Sequence, residues 1–300
     1  MSNSSDLSAR IVAHPFPDPS AVSDTTGVSG MESVSSSLLP RIHWFEWEDC
    51  SWLPVFLRDA ITDALGLIMK TFRAYRPAFP LLREWAGESK TLLDMASGSG
   101  THVRELRQWA DAKGAPIPAV RVSDLYPSRD RFQALESAFP NRVRAVKEPV
   151  DATAVPEQLR RLPRTMFTAF HHLAPDQARA ALADAALHAD GILIYEPHPR
   201  TIRNMLANIP GLIFGMLTPF LAGKFSWKRL LFCTLIPIVP LLLVHDGIVS
   251  VLRCYTAAEF RAMIASLPDN NMTWRIVEVP GEGAMRFMKG LCVIGKRAKG

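Results

Sequence analysis

The stretch Thr91-Leu92-Leu93-Asp94-Met95-Ala96-Ser97-Gly98-Ser99-Gly100-Thr101 limits the folds open to this chain more than any other. An apolar run meets an acid, then small residues with glycines two apart, then a helix-forming run from Val103 to Ala110. That order describes a buried parallel strand that ends in a tight turn and feeds a helix N-terminus. Glycine lets the backbone approach a ligand closely, and the free N–H groups of a first helical turn attract an anion. Many strand-to-helix turns contain a Gly-x-Gly, so the pair alone is weak evidence of a site.

The residues downstream add weight. Val120-Arg121-Val122-Ser123 reads as a second strand closed by Asp124, where a ribose would be hydrogen-bonded. Val146 to Asp151 brings another acid, followed by Ala152. Met166 to Phe170 is a fourth apolar run, leading into His171-His172, and Gly191 to Pro197 is a fifth, holding Tyr195 and Glu196. Arg129 to Phe139 and Asp176 to His188 read as helices by spacing and alanine content. Strand alternating with helix predicts an α/β, doubly wound, mostly parallel sheet.

From residue 90 to 197 the chain resembles the class I S-adenosylmethionine-dependent methyltransferases. Leu92 to Gly100 looks like the family's first motif, with Ala96 where glycine is usual. Val122-Ser123-Asp124 resembles its ribose-binding acid, Val150-Asp151-Ala152 its adenine-contacting motif, and Phe167 to His172 its fourth motif. The resemblance implies a seven-stranded Rossmann-like sheet and S-adenosylmethionine held by Asp94, Ala96, Ser97, Gly98, Gly100, Asp124, Leu125, Asp151, Ala152 and Phe170. A nicotinamide-binding domain fits less well, because its third fingerprint glycine is replaced by Val103.

The division expected is a Ser-rich tail (1–39), a helical cap (40–89), the cofactor-binding core (90–199), an apolar insertion (200–253) and a sheet-completing end (254–300). The tail has too little periodic apolar content to offset its ordering entropy. In the cap, Ile42 to Asp49 packs three aromatics and three acids into eight positions. Phe56, Leu57, Ala60, Ile61, Ala64, Leu65, Ile68 and Phe72 then recur at helical spacing. This is a helical layer on the sheet; Trp44, Trp47 or Trp52 could also wall the site, since aromatic faces stabilise a sulfonium.

The insertion is nearly all apolar over Ile209 to Ala222 and Leu230 to Val244. As helices these would reach about 21 and about 22 Å, short of a bilayer core of about 30 Å, and prolines interrupt them. Two readings stay open: a cap over an apolar acceptor, or an interfacial hairpin with Lys224, Trp227, Lys228 and Arg229 at the headgroup level. Either makes the acceptor hydrophobic. Thr256 with Glu259 reads as a capping box, and Thr273 to Val279 and Phe287 to Lys296 as two strands joined by a turn. That pair resembles the family's antiparallel strands six and seven.

The formal charge of +5 suits anionic partners without requiring them, and no basic stripe interleaved with aromatics calls for nucleic acid. Four dispersed cysteines read as free thiols in a reducing compartment, and no signal peptide opens the chain, so a cytoplasmic protein is expected, with a peripheral place at the inner membrane surface left open. The oligomeric state has no signal.

The expected chemistry is in-line methyl transfer, needing a base only if the acceptor loses a proton. Candidates are His171, His172 and Tyr195, with His245 and Asp246 from the insertion. No metal-ligand spacing is present, and His171 and His172, adjacent on a strand end, would point apart. Cyclisation of the cofactor's own arm with release of methylthioadenosine, and a non-catalytic membrane-associated binding protein, are the alternatives.

Overall fold

The computed structural model describes residues 39–50, 52–221, 225–268, 271–283, 286 and 288–298. The Ser-rich tail, apart from Leu39, lies outside the described residues, as do Lys224 and Phe287.

Seven strands pair into one sheet: β1 (Thr91–Met95), β2 (Ala119–Val122), β3 (Val143–Ala145), β4 (Arg164–Phe167), β5 (Gly191–Glu196), β6 (Met272–Pro280) and β7 (Lys289–Arg297). They lie in the order β3-β2-β1-β4-β5-β7-β6. The first five are parallel, with Asp94 beside Val122 on one side and Thr165 on the other. β7 runs antiparallel between β5 and β6, pairing Ile194 with Val293. The strand order reverses between β1 and β4, so the glycine turn opens at the crevice where doubly wound sheets bind ligands.

Strand β3 ends before the run expected for it. Val146 to Asp151 is loop, tied to the second strand by Val146 N–H to Val122 O at 2.9 Å and Val150 N–H to Asp124 O at 2.8 Å. Strand β4 likewise stops at Phe167, and Phe170-His171-His172 form a 3-10 turn.

Both sheet faces are covered, which is why β4 and β5 are buried along their length. Alternation decides which side each residue serves. Leu93, Met166 and Ile194 meet Phe260 and the alanines of the Pro175–His188 helix, whereas Leu92, Leu193 and Tyr195 meet Phe79, Leu82 and Trp85.

The helices, in chain order, are α1 (Val55–Thr71), α2 (Phe79–Ala86), α3 (Thr101–Lys113), α4 (Arg129–Ala138), α5 (Pro175–His188), α6 (Ile202–Leu206), α7 (Gly211–Leu221), α8 (Ile238–Arg253) and α9 (Ala257–Ala265). A short helical segment, Trp227–Leu235, ends in a wide π turn before α8. The capping box of α9 closes as its sequence predicts: Glu259 N–H to Thr256 Oγ1 at 3.2 Å, Thr256 N–H to Glu259 Oε2 at 2.7 Å.

The first arm of the insertion is longer than its apolar run, which corrects the expected length. Helix α6 starts earlier than that run, at an N-cap where Thr201 Oγ1 accepts from Asn204 N–H at 3.2 Å. With α7 it makes a 20-residue stretch, Ile202–Leu221, long and apolar enough to cross a bilayer by length and composition. The returning arm is bent by 64°. Both arms lie along α1. A Cβ on Gly215 would fall 2.9 Å from Pro240 Cα, so glycine lets α7 press against α8. At the far end Arg229 Nη2 reaches Asp63 Oδ2 on α1 at 2.6 Å, both side chains largely shielded from solvent.

Candidate functional site: two cavities that meet

Strand β1 passes into α3 through three left-handed residues: Ala96 (φ 51°), Gly98 (φ 52°) and Gly100 (φ 69°). Such backbone is cheap for glycine and strained for alanine. At Gly98 a Cβ would meet nothing within 4 Å, so its absence opens a path for a ligand to the backbone. At Gly100 a Cβ would strike Leu135 Cδ2 at 2.7 Å, which makes that glycine a packing requirement of α4. The carboxylate of Asp94 braces the turn from below. It accepts from Ser97 Oγ at 2.6 Å, Thr165 Oγ1 at 2.7 Å and His102 Nε2 at 2.8 Å. Across the crevice Asp124 accepts the N–H of Gly98 at 2.9 Å and of Tyr126 at 2.9 Å.

These elements enclose a cavity of about 420 Å³, roofed by Arg58, Asp59 and Thr62 of α1. Of the residues the motif singles out, Ala96, Ser97, Gly98 and Asp124 line it. Asp94 and Gly100 shape it from behind. Leu125 is exposed to one side. Asp151 is spent on its own turn, accepting from Thr153 N–H at 2.8 Å, and Ala152 packs into the core. Phe170 is also core, its ring 5.0 Å from Phe260; Phe167, Thr168 and Ala169 border the cavity in its place. Sequence reasoning missed Tyr126, Ser128 and Arg131, which also line it; Arg131 Nη2 crosses to Asp59 Oδ1 at 2.8 Å.

A second cavity of about 310 Å³ lies on the other side of α1. Ile61 and Ile68 of that helix, Phe72 just after it, Phe214 of α7 and Leu243 of α8 give it apolar walls. Its floor is polar, made by Glu46, His171, His172, Glu196, His198 and Asp246. The two cavities share Glu48, Leu65, Thr168 and His172. Thr168, a β-branched residue at φ 48°, sits at that junction, and the Tyr75 phenol hydrogen-bonds it. Backbone strain of this kind persists only where the surroundings impose it, and it gathers at functional sites.

The turn at 170–172 changes what the histidines can do. Their rings lie 4.4 Å apart instead of on opposite faces of a strand. His171 Nδ1 is 3.0 Å from Glu196 Oε2, and the His171 N–H reaches Glu196 Oε1 at 3.1 Å. Burial alone would raise the Glu196 pKa, but the neighbouring His171 holds it below the ordinary carboxylate value. With Nδ1–H donated to that carboxylate, Nε2 is left as the basic nitrogen. His172 lies 3.4 Å from Asp49 Oδ1 and 3.6 Å from Glu46 Oε2. Burial disfavours its charged form, yet the hydrogen bond to Asp49 and the charge of Glu46 lift its pKa to about 9. That favours the protonated form of His172 at neutral pH.

Burial pushes His198 down to about 4, leaving it neutral, and pushes Glu48 up to about 7 beside Asp246 and Glu46. Tyr195 belongs elsewhere. Its hydroxyl donates to Ala74 O at 3.2 Å in the opposite core, and burial raises its pKa strongly, so the catalytic role expected for it is withdrawn. The next residue along β5, Glu196, faces the site instead. An acid closing a buried strand was the available signal.

The aromatic wall expected of the N-terminal cap is also displaced. Trp44 and Trp47 pack around His245 at 5.8 and 5.9 Å, and the acids between and after them, Glu46 and Glu48, face the cavities. Asp246 receives the N–H of Trp47 at 2.9 Å and of Glu48 at 3.2 Å, which fixes that orientation. Two sets of donor atoms, Glu46/His171/His172 and His171/Glu196/Cys254, each gather within 4.8 Å. The first already has a cation, since Arg253 Nη1 is 3.3 Å from Glu46 Oε1.

No protein-family model matches the sequence, and no curated protein matches it. Among solved structures the chain is similar to the plantazolicin methyltransferase BpumL in complex with SAH, at 12% identity over 83% of this chain and 93% of that one, with a TM-score of 0.49. It is similar to magnesium protoporphyrin IX methyltransferase from Synechocystis PCC 6803 with bound SAH, at 14% identity over 84% and 91%, TM-score 0.42. It is similar, too, to a Rhodobacter sphaeroides protein named provisionally as a Zn-dependent alcohol dehydrogenase, at 17% identity over 74% and 89%, TM-score 0.44. Likenesses this remote say nothing of activity. With its order β3-β2-β1-β4-β5-β7-β6, its antiparallel β7 and a glycine turn at the point of reversal, the chain has the fold of the class I S-adenosylmethionine-dependent methyltransferases.

Proposed function

We propose that this protein transfers the methyl group of S-adenosylmethionine to a hydrophobic, lipid-like acceptor through an acceptor atom that gives up a proton. One observation carries the reading: a polar cavity at the glycine turn and an apolar cavity behind α1 are adjacent, with Glu48, Leu65, Thr168 and His172 lining both. The polar cavity fits the cofactor, since the side-chain-free approach at Gly98 and the Asp124 carboxylate suit an adenosine ribose. When bound there, S-adenosylmethionine supplies an electrophilic methyl group on a sulfonium.

The chain's own residues do the remainder. Gly98 and Asp124 hold the adenosyl portion, and α1 covers it from solvent. Ile61, Ile68, Phe72 and Phe214 bind the apolar body of the acceptor and exclude water. His171, fixed by Glu196, accepts the acceptor's proton at Nε2. His172, held protonated by Asp49 and Glu46, places a positive charge where the cavities join and so favours an acceptor atom carrying electron density.

The test is incubation of the purified chain with labelled S-adenosylmethionine and a lipid extract, with mass spectrometry of both products. S-adenosylhomocysteine together with a labelled, apolar acceptor is expected. Release of methylthioadenosine would move the activity to another arm of the sulfonium. Absence of any calorimetric signal from S-adenosylmethionine would end the cofactor assignment.

A further inference from the structure

The hairpin that roofs the apolar cavity has a second face. Ile202, Leu206, Ile209, Ile213, Leu217 and Phe220 fall three or four residues apart, forming a single stripe along α6 and α7 that points away from the protein. Ile213 is 62% exposed and Phe220 58%. The returning arm adds Leu235, Ile236, Ile238 and Leu241 beside it, Leu235 at 68%. One turn beyond Leu241 on α8, His245 carries the partly exposed cluster of Trp44 and Phe45, extending the same surface. Soluble monomers rarely leave an apolar surface of this extent uncovered.

We infer that this face docks in plane on a phospholipid bilayer bearing anionic lipids, with the hairpin lying in the headgroup–acyl boundary. A protein partner would need polar groups on the face, since a protein interface of ordinary size carries about ten hydrogen bonds. The hydroxyls of Thr218, Ser226 and Thr234 on the hairpin are bonded to its own backbone instead. Thr218 donates to Phe214 O at 3.0 Å, Thr234 to Met216 O at 2.8 Å, and Ser226 accepts from Arg229 N–H at 3.2 Å. Hydrocarbon asks for no such partners. At the tip Trp227, 77% exposed, stands next to Lys228, an aromatic and a cation where headgroups would lie. The chain's charge of +5 favours an anionic surface in the same sense.

The hairpin lies flat because it is tied down at both ends. Gly211 meets Val244 and Ile68 near the cavity, and Arg229 is bonded to Asp63 at the tip, so neither arm stands off the body to traverse a membrane. Loading of an acceptor from the bilayer into the cavity beneath rests on the methyl-transfer reading; docking itself does not, and is measured without turnover.

The full chain is mixed with phosphatidylcholine vesicles, with or without phosphatidylglycerol, and floated through a density gradient. It should rise with the phosphatidylglycerol vesicles, more than with phosphatidylcholine alone. The double variant I213E/F220E, changed at residues outside both cavities, should lose bound protein by about tenfold or more while keeping the wild-type melting temperature. Because that variant could misfold, tryptophan quenching by bromine-labelled lipid chains is measured on wild type and on Trp227→Phe, whose quenching should fall. Wild-type protein that stays at the bottom with both lipids overturns the proposal. So does I213E/F220E that floats as well as wild type, or a lipid-indifferent dimer that the same substitutions dissociate.

Discussion

His171 is held to Glu196 at two points, ring to one carboxylate oxygen at 3.0 Å and backbone N–H to the other at 3.1 Å. The carboxylate fixes both the rotamer and the tautomer of the imidazole, as an acid does in other His-based sites. His171→Ala should lower kcat by between about 10² and about 10⁴, the range of general base catalysis. Glu196→Gln should lower it by about tenfold or more, because a neutral amide no longer stabilises the imidazolium that forms. S-adenosylmethionine affinity should be unchanged in both, since neither residue lines the polar cavity. Steady-state kinetics beside calorimetry decide it, and a fully active His171→Ala would remove the base from the mechanism.

His172 gives the site a pH signature of its own. Burial opposes its charge, but Asp49 and Glu46 raise its pKa from 6.5 to about 9. A raised histidine contributes stability that is complete below 6.5 and lost as pH climbs through about 9. Burial pulls Asp49 the other way, yet His172 and Arg253 hold its pKa below 3.8, so its share is present above that value and fades on acidification. The melting temperature should therefore fall between about pH 6.5 and about 9 more steeply in wild type than in Asp49→Asn. The side chains are 36% and 45% exposed, so solvent screening keeps the difference small. Parallel melting curves for the two proteins over that range would discard the coupling.

Ala96 occupies backbone that glycine adopts freely, at φ 51°. Relief of left-handed strain for an L-residue amounts to about 1 to 2 kcal/mol, partly offset by the extra freedom of glycine in the unfolded chain. Ala96→Gly should stabilise the fold by up to about 1 kcal/mol in urea denaturation. A loss of stability would mean that the methyl group's packing outweighs the strain.

How far the sequence could be read depends on range. The turn from Asp94 to Gly100 was legible because its signals are consecutive: apolar run, acid, glycines two apart, helix. The hydrogen bonds that use it, such as Gly98 N–H to Asp124 at 2.9 Å, join positions the β-α-β order already brings together. Glu196 was obscured because β5 is buried on both faces, and a continuous apolar strand does not show which of Tyr195 and Glu196 faces the ligand. The histidines were misplaced through Thr168. Its φ of 48° ends the strand early and puts both rings on one side, a conformation that threonine's propensities do not announce. The floor of the second cavity joins Glu46, His171 and Asp246, three elements with no sequence proximity.

Helix α1 is the partition between the cavities, and its spacing makes the two binding events separable. Thr62 and Gly66 face the polar side, while Ile61 and Ile68, with Phe72 just after the helix, face the apolar side. Ile68→Trp fills the apolar cavity with added ring volume and leaves the glycine turn untouched. It should raise the acceptor KM by about tenfold or more without altering S-adenosylmethionine binding. Asp124→Asn removes the charge beside Gly98 without changing the shape. A hydrogen bond to a charged group contributes about 1.5 to 3 kcal/mol, so cofactor affinity should fall by about tenfold to about a hundredfold while acceptor KM at saturating cofactor stays constant. Calorimetry for the cofactor and initial rates for the acceptor measure the two separately. If each substitution weakened both ligands equally, α1 would not be a partition, and the two cavities would be one site reached from two sides.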